Sequence, residues 1–197
     1  MSMRPAILVF ATVLAPLAAT SGELHGQEGP LRGGAFEFTP VLGFGSFQGK
    51  SRLDSCLWFG VRIGHRFTPF KGNERLQLGF RTGWEGCSSR HSEVGGVDLI
   101  HLNATVLFGF RLSRAALLYW GAGLGELLAD TTVGEDNQVK GRFAGHTGPG
   151  VTWALGRHLL LDASVKGILF EDFDLGSAPA GGSTLGVVPS LILGVQI

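Results

Sequence analysis

The chain has 197 residues, enough for one closed core and too few to support two independent ones. Lys plus Arg and Asp plus Glu are 16 each, with no long run of either sign, which excludes an electrostatic surface for nucleic acid. Glycine is abundant at 32 residues without a three-residue period, which excludes a collagen-like chain and points to strands and turns.

The N-terminus has the three parts of a secretory signal. Met1 and Arg4 carry positive charge, residues 6–19 are apolar, and the small residues Ala18, Ala19, Thr20 and Ser21 follow. A signal peptide is predicted over 1–22, cleaved within 19–26, ahead of a barrel domain over 34–197. The apolar stretch falls short of the roughly 20 residues a spanning helix needs, and Pro16 interrupts it. The first cysteine, Cys56, is far from this segment, so lipid attachment is not expected. No later segment offers 18 continuous apolar residues, and only a closed barrel could then satisfy the backbone inside a membrane.

From residue 34 onward, side chains alternate with the period of two that a strand imposes. Eight strands are predicted, over 35–47, 56–68, 76–87, 97–111, 115–128, 142–155, 159–169 and 185–197. In the first, Phe36, Phe38, Pro40, Leu42 and Phe44 oppose Glu37, Thr39, Val41, Gly43 and Gly45. In the second, Leu57, Phe59, Val61, Ile63 and Phe67 oppose Cys56, Trp58, Gly60, Arg62, Gly64 and Arg66. Short links near 68–75, 112–114 and 156–158 alternate with longer polar ones near 48–55, 88–96, 129–141 and 170–184. That is the loop pattern of a transmembrane barrel with its short turns and both ends in the periplasm.

A soluble barrel would alternate too, with its apolar face inward, so composition must decide which face is which. The second face holds glycines with one or two charges per strand, among them Glu37, Arg62, Arg66, Arg81, Glu85, Arg111, Asp162 and Lys166. Water-facing strands carry denser charge, whereas glycine beside Arg, Tyr and Trp suits the filled lumen of a small barrel. The fold class is therefore all-β, an eight-stranded antiparallel up-and-down transmembrane barrel. Phe36, Phe38, Phe67, Phe110, Trp120 and Trp153 fall toward the short turns and are expected to form an interfacial aromatic girdle.

The stretches 35–47 (AFEFTPVLGFGSF), 59–70 (FGVRIGHRFTPF) and 119–125 (YWGAGLG) resemble barrel strands of the small outer-membrane proteins of the OmpA-like, OmpX-like and OmpW-like group. The likeness covers almost all of the predicted mature chain. The last strand resembles the C-terminal signal of that group, with Ile197 where a Phe is usual. The resemblance implies the bacterial outer membrane and insertion by the barrel-assembly machinery. It also implies contact with outer-membrane lipid and lipopolysaccharide, and a monomer. It is a poor guide to activity, because the fold hosts adhesins, plugs, narrow channels and lipid-modifying enzymes.

Two cysteines in an exported chain invite a disulfide. Folding the second hairpin about a centre between residues 71 and 72 sets Cys56 opposite Cys87, Trp58 opposite Glu85 and Arg62 opposite Arg81, and a Cys56–Cys87 bond is expected. Adjacent arginines need carboxylates. Glu85 shares their face, Glu37 could meet Arg66, and Asp162 and Lys166 could join from across the lumen.

Catalysis would need a nucleophile, a base and an orienting acid together. His101, His146, Asp162 and Ser164 face inward, and 101–104 (HLNA) loosely resembles the His-x-Ser-Asn motif of lipid A deacylase barrels, with Asn103 in place of the serine. His91 and Ser92 read as loop residues, and the acidic groups Glu135, Asp136, Glu171, Asp172 and Asp174 as solvated loops. No zinc spacing or phosphate loop is present, so no metal or cofactor is expected. The expected function is a structural or surface-interaction barrel with a side-chain-plugged polar lumen. A narrow passive channel is the alternative, and a lipid-modifying enzyme a more distant one.

Overall fold

The computed structural model describes residues 31, 36–49, 52–69, 73, 75–133, 136–173, 175 and 182–197; the predicted signal segment lies outside the described residues. Eight antiparallel strands, β1 (Phe36–Gly49), β2 (Cys56–Phe67), β3 (Leu76–His91), β4 (Gly95–Arg111), β5 (Ala116–Val133), β6 (Asp136–Ala154), β7 (Leu159–Glu171) and β8 (Ser183–Gln196), follow in chain order. Each pairs with its sequence neighbours, and β8 returns to β1 to close the barrel. Closure leaves no sheet edge along the wall, the condition for backbone inside lipid.

The pleat sorts the side chains. Leu42, Leu57, Phe80, Phe108, Leu124 and Leu191 are half or more exposed on the outside, and every strand contributes large apolar groups to this surface. Glu37, Arg62, Arg81, Glu85, Asp162 and Lys166 are buried inside. The resulting apolar outside and charged inside invert a soluble barrel and fit a chain that spans a membrane. Among the described residues, no helix is long and apolar enough to cross a membrane, and these strands do the crossing.

Phe36 and Ile197 exchange backbone hydrogen bonds of 3.1 and 2.9 Å, so the sheet begins and ends at the barrel end that carries the turns at 112–115 and 155–158, here the inner end. At the outer end the chain departs from expectation. β3 runs to His91 and β4 starts at Gly95, while β5 runs to Val133 and β6 starts at Asp136. Most of each long loop expected at 88–96 and 129–141 is therefore paired strand, with a tight turn at 92–94 in the first and pairing up to Val133 and Asp136 in the second. Polar side chains there do not end a ladder whose backbone groups satisfy one another. Gly95, at φ +86°, takes the left-handed conformation that the first turn requires.

The register of the β2–β3 hairpin also differs from expectation. Gly60 pairs with Glu85, Arg62 with Gly83 and Gly64 with Arg81, a shift of two residues. A shift of two keeps every side chain on its face. Its effect is to replace an Arg62–Arg81 pair with two arginine–glycine pairs. The reason is volume: a Cβ at position 64 would lie 2.7 Å from Arg81 Cγ, and one at 83 would lie 3.2 Å from Arg62 Cγ, so each arginine occupies its glycine's space.

Candidate functional site

The same complementarity recurs around the lumen. Arg66 lies against Gly79, Tyr119 against Gly150, His146 against Gly123 and Trp58 against Gly45. Inward side chains too large for an eight-stranded lumen lie flat over glycines of the next strand.

At mid-height these groups form two neighbouring clusters. Glu85 is the hub of the first: it accepts from Arg62 Nε at 2.8 Å and Nη2 at 3.2 Å, Lys166 Nζ at 2.6 Å, Trp58 Nε1 at 3.0 Å and Asn103 Nδ2 at 3.4 Å. Nearer the inner end, Arg81 Nη2 reaches Glu37 at 3.2 Å and Asp162 at 3.1 Å, and its Nη1 donates to the Tyr119 hydroxyl at 3.2 Å. That hydroxyl donates onward to Asp162 at 2.8 Å. Arg66 pairs with Glu37 at 2.8 Å and donates to Thr152, whose hydroxyl in turn donates to Asp162 at 2.8 Å. Six strands thus contribute to the inner cluster and four to the outer one, so the network crosses the lumen instead of lining one wall.

Above and below, the interior is apolar, so the polar lumen expected occupies the middle of the barrel. Toward the outer end, Trp58, Leu99, Leu127, Ile168, Phe170 and Val188 join Cys56 and Cys87 in a buried cluster. Cys56 and Cys87 are bonded there. Leu53, from the β1–β2 connection, and Phe173 and Leu175, beyond β7, fold into the same cluster. Leu53 is held by a bridge to His91, and Arg52 pairs with Glu93 at 2.7 Å across the rim. Leu31 packs against Leu117 and Leu160 at the inner end, where its carbonyl accepts from Gln77 and Arg111. Inward Val41, Leu99, Leu117, Leu127, Leu160 and Val188 signalled these layers; reading that face by its charges hid them.

The remaining candidates are placed as follows. Phe36, Phe38, Phe67, Phe110 and Trp120 are exposed on the outer wall, while Trp153 is half-buried there. Phe67 and Phe108 both pair with Leu78, and Phe108 with Trp120, giving one continuous row. The potential catalytic groups do not converge. His101 and His146 meet edge to face at 5.2 Å, and His146 Nε2 lies 2.8 Å from Thr105 Oγ1. Ser164 bonds Ser190 at 2.9 Å, and Asp162 is committed to Arg81, Tyr119 and Thr152. His91 Nδ1 accepts from the Glu93 backbone. Asp172 accepts from Thr184, whereas Glu135 and Asp174 lie outside the described residues. No metal-ligating cluster occurs among the described residues.

A closed, all-antiparallel eight-stranded barrel with an apolar outer wall is the fold of the small outer-membrane barrels. Neisserial surface protein A has this fold at TM-score 0.61 and 15% identity, over 83% of this chain and 99% of its own. Ail, the attachment invasion locus protein of Yersinia pestis, follows at 0.57 and 14%, over 85% and 100%. The outer membrane protein OprG of Pseudomonas aeruginosa gives 0.50 and 10%, over 84% and 97%. No protein-family model matches the chain, and no curated protein matches it in sequence.

Proposed function

We propose that the chain is a small, monomeric, non-enzymatic barrel of the bacterial outer membrane, inserted by the barrel-assembly machinery, whose lumen is closed to solutes and whose role lies at its outer rim. The observation that carries this reading is the Glu85 hub, where groups from β2, β3, β4 and β7 meet on one buried carboxylate across the lumen. Apolar layers above and below it support the same reading. The β3–β4 and β5–β6 hairpins extend past the other strands and offer a surface to lipopolysaccharide or to a surface partner. Near that end Val139 and Phe143 are 63% and 68% exposed.

Planar-bilayer recording on the refolded full chain tests the closed lumen. Silence at voltages that open known channels is the expected result. Steady unitary currents that change with Arg62→Ala would replace this reading with that of a narrow passive channel.

A further inference from the structure

Between the two polar clusters lies a cavity of about 40 Å³, lined by Arg62, Arg81, Lys166, Asn103, Thr105 and Ser164 and bordered by Glu85. At about 10–15 Å³ for each water-sized guest, it holds roughly three. Its charges do not balance. The inner cluster sets Arg66 and Arg81 against Glu37 and Asp162, whereas the outer one sets Arg62 and Lys166 against Glu85 alone. Each of these side chains is nine-tenths or more buried. Glu85 accepts five hydrogen bonds, while Lys166, with three donors, makes one to it. Two further buried nitrogens on the cavity wall, Arg81 Nε and His146 Nδ1, meet no hydrogen-bond partner among the described residues.

An uncompensated buried cation is costly, and a counter-ion removes the cost. We propose that this cavity is a binding site for one small monovalent anion of the halide class. Arg62, Arg81 and Lys166 provide the charge, and the Asn103 amide and the Thr105 and Ser164 hydroxyls provide neutral donors. Sulfate would bring two charges where one is in surplus, and a carboxylate ligand would have to enter past the apolar layers at either end. The anion is therefore taken up as the barrel closes and serves as part of the folded lumen.

Two measurements on the full chain refolded in detergent test this. Crystals grown in bromide are expected to show an anomalous peak inside the cavity. The urea midpoint is expected to rise saturably when gluconate is replaced by chloride or bromide at constant ionic strength. Ser164→Asp, which supplies the missing negative charge, and Lys166→Met, which removes the surplus positive one, should each abolish the halide dependence. The proposal fails if the midpoint is the same in every anion, as it would be if Lys166 were neutral. It also fails if halide dependence persists in both variants, which would place the ion elsewhere, or if the cavity shows no anomalous signal.

Discussion

Glu85 is fully buried and faces two cations, so removing it exposes both to the full cost of burial without a partner. Glu85→Ala is expected to destabilise the barrel by about 3–5 kcal/mol, read as a lower urea midpoint in detergent. Gly150 matters for a different reason. A Cβ there would lie 2.3 Å from Tyr119 Cζ, and the Tyr119 ring cannot retreat without leaving Asp162 and Arg81. Gly150→Leu is expected to cost about 1–3 kcal/mol from overpacking, with more for the broken hydrogen bonds. The same substitution at Gly156, in the turn before β7, where nothing lies near an added Cβ, should leave the midpoint almost unchanged. Alternation alone marks residues 85 and 150 as inward-facing. Whether a glycine there is a spacer or a seat for a neighbouring ring depends on the residue across the ladder, which only register reveals.

At the scale of elements, the β2–β3 hairpin shows how local and tertiary information divide. Its strands and their inward faces are readable from the period of two, and folding it symmetrically about its turn gave a register two residues from the one found. Both registers keep the cysteines on the inner face. The observed one lodges Arg62 and Arg81 over Gly83 and Gly64, so side-chain volume chose between them. The Cys56–Cys87 bond closes a segment with a sequence separation of 31 beside the outer apolar cluster. Cys56→Ser/Cys87→Ser should lower stability by about 2–4 kcal/mol while leaving a folded barrel. The gel shift between boiled and unboiled samples checks for the barrel, and denaturant titration for the cost. The outer ends of β3–β6 were hidden because polar residues were read as loop. Above the membrane, backbone pairing is indifferent to side-chain polarity, and these ladders continue to residues 91–95 and 133–136.

For the whole molecule, the inversion of inside and outside has an optical test. Trp84 and Trp120 are 45% and 52% exposed on the outer wall, whereas Trp58 is fully buried in the lumen. In single-tryptophan variants refolded into vesicles of brominated lipid, fluorescence from Trp84 and Trp120 should be strongly quenched and that from Trp58 largely spared. Equal quenching of all three would overturn the assignment of faces. The chain by itself determined eight alternating strands, the choice of lipid-facing side chains and the inward set of charges, because each follows from the period-two pleat and the composition of one face. Closure of the barrel decided the rest. It set which carboxylate holds which cation, the layering of apolar and polar interior, and the surplus charge beside the central cavity. Glu85 and Lys166 lie 81 residues apart and meet only when β7 is brought across the lumen from β3, a contact that no local pattern carries.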